Sequence, residues 1–205
     1  MIRIRLVIVP APSSPTRPAL RERYERRQDG LVRHAAREFA RRGYDQTTMQ
    51  DLAASMGLAT GALYHYFGSK EELLVAICDQ LMEPLLARAL ELMAPAGDGD
   101  ERLRELVRLW VAHVVAHRDH MLVFQQERHV IESGDRWRSV RAARKAFERI
   151  VADALDGADT RARAPLPLLA LLGMVNHTAQ WYRPRGALSP RQIADGYVAL
   201  LLENA

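Results

Sequence analysis

The chain has 205 residues, of which 48% are hydrophobic and 26% are charged, and its formal net charge is +4. A chain of this size and composition buries enough apolar surface to fold as one or two globular domains, which excludes a disordered tail, a fibrous repeat and a disulfide-held miniprotein. The single cysteine, Cys78, excludes an intrachain disulfide and is typical of a reducing cytoplasm, where we expect the protein. Apolar runs such as 166–175 are shorter than the roughly 20 residues of a membrane span, so no membrane segment is predicted.

The basic charge is concentrated near the N-terminus. Residues 1–46 contain eleven Arg against five acidic residues, whereas residues 47–83 contain one Lys against five acidic residues. A positive segment of this kind favours polyanions. Within it, residues 1–20 are predicted to form a flexible extension, because four prolines between 10 and 18 interrupt any regular pattern.

Beyond this extension the hydrophobic pattern is helical, and no strand pattern follows residue 9. Leu31, Ala35 and Phe39 share one face of the first helix, and Gly43 stands where a helix-ending glycine belongs. Pro84 is expected to kink or end the fourth helix. The pattern predicts an all-α chain with helices at about 21–42, 48–56, 59–66, from 69, 100–117, 119–132, 136–156, 166–182 and 190–203.

The segment 47–66 predicts two short helices joined by a tight turn. Thr48 followed by Asp51 forms a capping box. Gly57 is suited to the left-handed backbone conformation that ends the first of the two helices. A helix, a glycine-containing turn and a second helix are the plan of a helix-turn-helix. The second helix begins with the small residues 60–62, which would let its backbone approach the floor of a major groove.

The next helix begins with an electrostatic conflict that an anion would remove. Ser69 and Glu72 form a second capping box, which puts Lys70 at the first helical position. A cation there opposes the helix dipole unless a phosphate binds the free amides and the ammonium together. Tyr64 and Tyr66 lie just upstream and offer hydroxyls to the same phosphates.

The run 57–74, GLATGALYHYFGSKEELL, resembles the signature of the tetracycline-repressor (TetR) family of transcriptional regulators. Upstream, the family has the same or similar residues at the positions of Ala36, Phe39 and the segment 43–53. Ala59 stands where many members have Ser, and Met49 replaces a commoner aliphatic residue.

This resemblance implies an all-α homodimer that binds an operator in double-stranded DNA and is not an enzyme. An N-terminal three-helix helix-turn-helix domain (21–68) would precede a ligand-binding and dimerisation domain (69–205). The first domain would read a palindrome, and a small-molecule effector would release it. The DNA contacts that carry over are Thr48, Thr60, Gly61, Tyr64, His65, Tyr66 and Lys70; Thr60, Gly61 and His65 are the better candidates for base edges, and the other four for phosphates.

The C-terminal region contains a helix that is apolar on nearly every face. A helix of this kind, here 165–182, must be covered all round, which indicates a dimer interface as well as a core. Ser189, Pro190 and Gln192 predict a capped start for the last helix. Two helices from each subunit would pack as a four-helix bundle.

The segment 176–190 is similar to the C-terminal end of TetR-type repressors that respond to acyl-CoA thioesters. Such an effector needs an apolar channel for its acyl part and Arg groups for its nucleotide. The candidate ligand residues are Trp110, Phe124, Trp137, Arg141, Arg144, Asn176 and Trp181. The alternative for each is an ordinary core aromatic or a solvated helix face.

Two other classes of regulator remain open, and no cofactor is predicted. His113, His117 and His120 sit at helical spacings, with His129 one helix later, which raises a metal sensor. The sequence has no dense cluster of carboxylates or thiolates to supply the remaining ligands of such a metal site. An architectural DNA-binding protein without an effector is the other alternative, against which the long second domain argues. No nucleophile elbow, phosphate loop or dinucleotide-binding glycine pattern indicates an enzyme.

Overall fold

The computed structural model describes residues 18–94, 97–131, 135–160 and 165–202, apart from the side chain of Arg136. These residues are predominantly helical, with one isolated antiparallel bridge between Thr160 and Leu202, and the all-α prediction is confirmed. The α-helices are α1 (Pro18–Arg42), α2 (Met49–Ser55), α3 (Thr60–Tyr66), α4 (Lys70–Met93), α5 (Gly99–Ala116), α6 (Arg118–Gln126), α7 (Arg128–Ile131), α8 (Arg138–Asp156), α9 (Leu166–Trp181) and α10 (Pro190–Ala199), and a 3-10 turn (Asp135–Trp137) precedes α8.

The chain divides into two compact units that alternate along the sequence. The first unit is the described part of residues 1–80 together with 123–141, and the second is 81–122 together with the described part of 142–205. Helices α4, α6 and α8 therefore each contribute to both units. The sequence-based boundary between residues 68 and 69 coincides with neither end of a unit. The predicted boundary lies where the helix-turn-helix motif ends in the sequence. The first unit also includes the distant segment 123–141, which only tertiary contacts bring to it.

The first unit has its core between α1, the two short helices and the first half of α4. Leu31, Phe39, Leu52, Leu63 and Ile77 are all almost completely buried. Each removes an apolar side chain from water, which stabilises the unit by roughly 1.5–3 kcal/mol per residue. The helix-ending role predicted for two glycines is confirmed, because φ is +86° at Gly43 and +66° at Gly57, a region that disfavours other residues.

The second unit is built around α5, which contacts both α9 and α10. Trp110 of α5 lies edge-on against Phe147 of α8, with ring centroids 4.9 Å apart. The predicted start of α10 is confirmed. Ser189 accepts a hydrogen bond from the Gln192 amide and donates its own amide to the Gln192 side chain, with Pro190 at the first helical position. The buried face of α10 carries Ile193, Ala194 and Val198.

Of the two outcomes predicted for Pro84, a kink or an end of the fourth helix, the end is wrong, because α4 continues through Pro84 to Met93. Proline removes one backbone donor and displaces the preceding turn. In this turn the buried His113 of α5 lies with Nε2 2.8 Å from the carbonyl oxygen of Leu81, to which it donates. Leu81 and Leu85 are also fully buried, so packing and this hydrogen bond hold the helix through the proline.

Other helix ends also differ from the pattern. The helix expected over 119–132 is interrupted at Glu127, and the helix expected to run to 203 ends at Ala199, with Leu202 in the bridge to Thr160. Helix α1 already includes residues 18–20, ahead of its predicted start at 21. The rest of the predicted extension, 1–17, lies outside the described residues. No helix in the described ranges is both long and apolar enough to span a bilayer.

Candidate DNA-binding surface

Helices α2 and α3 form the predicted helix-turn-helix, and local hydrogen bonds set both ends of α2. Thr48 accepts from the amide of Asp51 at 3.1 Å and gives its own amide to the Asp51 carboxylate at 2.9 Å, which confirms the capping box. The Thr48 hydroxyl also donates to the Asp51 carboxylate at 2.6 Å, and this bond, followed by the one from the Thr48 amide, holds the pKa of the Asp51 carboxyl below its usual value. After Gly57, the amide of Leu58 donates to the carbonyl of Ala53 at 2.8 Å and closes the turn. Ala59 makes no side-chain cap for α3.

Helix α3 is anchored by one face and leaves the other open to solvent. Leu63 is fully buried and Phe67 nearly so, whereas Gly61, Ala62, Tyr64 and His65 are exposed. Thr60 is half-buried at the first position of the helix, and Thr48 is exposed at the start of α2. An exposed helix of small and polar residues on a fixed base has the form needed to enter a major groove.

Gly61 has no structural reason to be glycine. A Cβ atom added there would meet no atom within 4 Å, and its φ lies outside the positive range. Alanine would even favour the helix, because glycine costs roughly 0.5–1 kcal/mol in a helix interior. The missing side chain therefore matters only to something that approaches from outside the first unit.

The aromatic residues of α3 differ in their surroundings. Tyr64 is 46% exposed. Tyr66 is half-buried because its ring stacks on Tyr24 of α1, with centroids 4.8 Å apart, and His65 meets the same Tyr24 ring edge-on at 6.2 Å. Tyr24 was missed by the sequence analysis, although its spacing of seven from Leu31 places it on the buried stripe of α1.

The ammonium group of Lys70 has protein partners in this structure. It donates to the carbonyl of Tyr44 at 3.1 Å and lies 4.2 Å from the centre of the Tyr44 ring. An ammonium group has three N–H donors, and the Tyr44 carbonyl is its one hydrogen-bond acceptor among the described residues. The neighbouring cap also differs from the prediction. Ser69 accepts from the Glu72 amide as expected, but the Glu72 carboxylate accepts from the amide of Gly68 at 2.9 Å.

A buried acid lies in the same unit as Lys70 and was also missed. Glu127, between α6 and α7, is only 7% exposed, and its Oε2 has no hydrogen-bond partner among the described residues. Burial, followed by the charge of Asp45, raises the pKa of this carboxyl, while His129 and Lys70 oppose the shift. No periodic pattern marks such a residue, because only the tertiary fold brings 127 to the N-terminal helices.

The predicted ligand residues fall into both units. In the first unit, Phe124 and Trp137 are buried, and Arg141 donates to the carbonyl of Ile131 at 3.1 Å. In the second unit, Trp110 is 1% exposed, Asn176 is half-buried and Trp181 is 41% exposed. Arg144 forms an ion pair of 3.7 Å with Glu148. Trp110 has the burial of a core residue, whereas Trp181 keeps a large free surface.

The second unit also has an open groove of about 810 Å³ between α4, α5 and the start of α10. Leu92, Leu109 and Pro190 line it, and its charged residues include Arg88 and Arg108. Arg108 is engaged by Asp195 at 2.6 Å and by Glu105, which raise the pKa of its guanidinium further. The predicted ligand residues do not line this groove.

The histidines that suggested a metal sensor have a different arrangement. His113 and His117 stack with ring centres 4.1 Å apart, and His113 Nε2 is hydrogen-bonded to the Leu81 carbonyl. Burial, together with His117, lowers the pKa of His113 to about 4, so it is neutral at physiological pH. Across the described ranges, no group of three or more His, Cys, Asp or Glu residues is placed to hold a metal ion.

Helix α9 exposes one continuous stripe. We define the α9 stripe as Leu166, Leu169, Gly173, His177 and Trp181, which are all exposed, with Leu166 at 65% and Leu169 at 57%. The opposite face, including Leu171 and Val175, is fully buried. In one copy of the chain, the helix that the sequence predicts to be covered all round is thus covered on one side only.

Two family models together match most of the chain. The model described as "Bacterial regulatory proteins, tetR family" matches residues 31–77, and the model "Tetracyclin repressor-like, C-terminal domain" matches residues 96–205. The first match covers the helix-turn-helix and the start of α4. The second covers more than half of the chain.

Relatives match along the whole length. The HTH-type transcriptional repressor KstR2 of Mycolicibacterium smegmatis is 28% identical over 94% of both chains. The structure of the ketosteroid transcriptional regulator KstR2 of Mycobacterium tuberculosis aligns with a TM-score of 0.78 at 26% identity, over 86% of this chain and 95% of that one. AibR, in complex with isovaleryl coenzyme A and operator DNA, aligns with a TM-score of 0.74 at 29% identity, over 86% and 98%.

Proposed function

Because the chain belongs to the tetR family of bacterial regulatory proteins, it is a DNA-binding transcriptional regulator, and we propose that it is a homodimeric repressor released from a palindromic operator by an acyl-CoA thioester. The similarity to KstR2 repressors over nearly the full length supports the direction of regulation. The complex of AibR with an acyl-CoA and its operator supports the effector class.

The DNA-binding role rests on the exposed face of α3. Gly61, Tyr64 and His65 are presented there by a buried base, and Thr48 and Lys70 lie at the starts of the two flanking helices. We assign Thr60, Gly61 and His65 of the groove-entering helix to base edges. We assign Thr48 and Lys70, at the starts of α2 and α4, to phosphates, and also the hydroxyls of Tyr64 and Tyr66.

The α9 stripe supports dimerisation through α9 and α10. Exposed leucines and a tryptophan on one helix face form a patch that water disfavours, and Gly173 within it has no side chain to keep a second helix at a distance. A second copy related by a two-fold axis would cover this patch with the same patch. A dimer also presents two α3 helices to half-sites about 34–36 Å apart.

The dimer is tested by measuring the mass in solution by light scattering. Leu169→Asp should give monomers, because it places a charge in the centre of the α9 stripe. Leu90→Asp is the matched control, since Leu90 is 53% exposed but lies on α4. If the wild-type protein is a monomer at micromolar concentration, or if both variants remain dimers, the α9 stripe is not the interface.

The operator is tested by selecting bound sequences from a pool of random duplexes. A two-fold dimer should recover a palindrome with half-sites one helical turn apart. Recovery of unrelated sequences with equal affinity would indicate an architectural DNA-binding protein and contradict the proposal.

The effector is tested by titrating isovaleryl-CoA and longer acyl-CoA thioesters into the protein, with free coenzyme A as control. An effector should weaken operator binding about 5–150-fold, and operator DNA should weaken thioester binding by the same factor. Trp181→Ala then separates two roles. Loss of thioester binding with an intact dimer places Trp181 in the ligand site, whereas loss of the dimer places it in the interface. If no thioester binds the pure protein, the effector class is wrong while the DNA-binding function is unaffected.

A further inference from the structure

Helix α1 begins with two turns that are basic and largely exposed. Between residues 18 and 30 the only buried side chain is Tyr24, whereas Arg21, Arg23, Arg26 and Arg27 are all exposed. A helix end with one buried aromatic residue contributes little to the core. The core does not require the exposed arginines around it.

The four arginines divide into two pairs. Arg21 bonds Glu25 at 2.8 Å, and Arg26 is paired with Glu22. Arg23 and Arg27 have neither an ion pair nor a side-chain hydrogen bond to any residue that the structure describes. They are four residues apart, so they lie on one flank of α1, about 6 Å apart along its axis.

This flank is directed toward the helix-turn-helix by contacts at two points. Tyr24, next to Arg23 and one turn from Arg27, stacks on Tyr66 and meets His65 of α3. Further along the same flank, eleven residues after Arg23 and therefore three turns on, His34 Nε2 lies 3.0 Å from the Ser55 hydroxyl of α2. The free arginines thus lie beside the helix that carries the base-reading candidates.

We propose that Arg23 and Arg27 form a second phosphate-binding site of the DNA surface, and that Tyr24 is the positioning residue that holds it against α3. The site binds the sugar-phosphate backbone next to the major groove that α3 enters, and it carries no sequence information. It rests on the proposed DNA-binding function and extends the DNA surface beyond the helix-turn-helix and Lys70. Arginine suits this role because its planar fork binds phosphate oxygens in pairs.

Tyr24 acts through its ring and not through its hydroxyl group. The hydroxyl is buried without a hydrogen-bond partner among the described residues, and burial raises its pKa. Removing the hydroxyl should therefore leave the site intact, whereas removing the ring should release the first turns of α1 from α3.

The test compares two double variants that lose the same charge. Arg23→Ala/Arg27→Ala should weaken binding to the selected operator and to an unrelated duplex by a similar factor, roughly tenfold, and lower the slope of log affinity against log salt by about two. Arg21→Ala/Arg26→Ala should leave the slope nearly unchanged. Arg23→Lys/Arg27→Lys should retain most of the slope, because it keeps both charges.

The proposal is overturned if the two alanine double variants have an equal effect. DNA affinity would then depend only on the protein's overall charge and not on a site at Arg23 and Arg27. A loss restricted to the operator would also overturn it, because that outcome indicates base contacts. Tyr24→Phe should bind as the wild type does, while Tyr24→Ala should reproduce part of the salt-slope loss. If no variant, nor the wild type, binds any duplex, the DNA-binding function itself fails, which is a distinguishable outcome.

Discussion

The helix-turn-helix and the region around α5 and α9, where three of the predicted ligand residues lie, differ in how their functional candidates relate to the core. In α3 the candidates Gly61, Tyr64 and His65 are exposed, and different residues, Leu63 and Phe67, hold the helix in place. Among the ligand candidates of the region around α5 and α9, a residue can be both candidate and core. Trp110 is fully buried against Phe147, whereas Trp181 on α9 is open. Residues on an exposed binding helix can differ from the buried residues that hold the helix in place. A ligand site inside a helical unit is instead lined by core residues.

The largest expected effect tests this difference with the two tryptophans. Trp110→Ala should lower the free energy of unfolding by about 3–5 kcal/mol, because it leaves a cavity beside Phe147. Trp181→Ala should change the stability of the monomer by less than about 1 kcal/mol, because its ring is partly solvated. Urea unfolding of both variants in a Leu169→Asp background measures the difference without a contribution from dimerisation. Equal losses would remove the distinction between core and open surface.

The second effect concerns the buried histidine beside Pro84. Because the pKa of His113 falls from 6.5 to about 4 on folding, the unfolded chain binds a proton more readily between these pH values. Stability should therefore rise with pH over this window, with a slope of up to about 1.4 kcal/mol per pH unit from this residue. His113→Gln, which retains a donor for the Leu81 carbonyl, should flatten the profile. His65→Gln, at an exposed position of α3, should not, and a similar change in both variants would reject a specific role for His113.

A third prediction uses Gly61 to separate function from stability. Gly61→Ala should increase the free energy of unfolding by about 0.4–1 kcal/mol, because alanine favours the helix and meets no neighbour. The same methyl group should weaken operator binding by about 1–3 kcal/mol if the backbone of α3 approaches the bases. Thermal unfolding and operator titration measure the two quantities on one variant. Unchanged DNA affinity would show that α3 does not approach the groove at this residue.

The smallest expected effect belongs to Lys70. Lys70→Ala should lower the salt slope of binding by about one for operator and unrelated duplexes alike, because a phosphate contact carries no base preference. Lys145→Ala is the matched control, since the only other lysine is exposed on α8 and loses the same charge. A loss confined to the operator would instead place Lys70 on a base edge.

Much of the DNA-binding region follows from the sequence because its determinants are local. The Thr48–Asp51 capping box and the glycines at 43 and 57 each depend on residues within one or two helical turns, and the structure has them where the pattern predicts them. Period and capping also predict the number and order of the long helices in the described ranges. At two places a contact from elsewhere in the chain accompanies the difference: α4 continues through Pro84 where His113 bonds the Leu81 carbonyl, and α10 ends at Ala199 shortly before Leu202 pairs with Thr160.

The sequence alone determined the all-α class, the helix-turn-helix and which candidate residues of α3 are exposed, since hydrophobic period and cap chemistry act over a few residues. Only the tertiary structure decided which aromatic residues are core, that segment 123–141 belongs with the N-terminal helices, and that Lys70 bonds the carbonyl of Tyr44, 26 residues earlier. These outcomes depend on which distant surfaces meet. A hydrophobic pattern predicts that a helix face will be buried, but it does not predict which other segment will pack against that face.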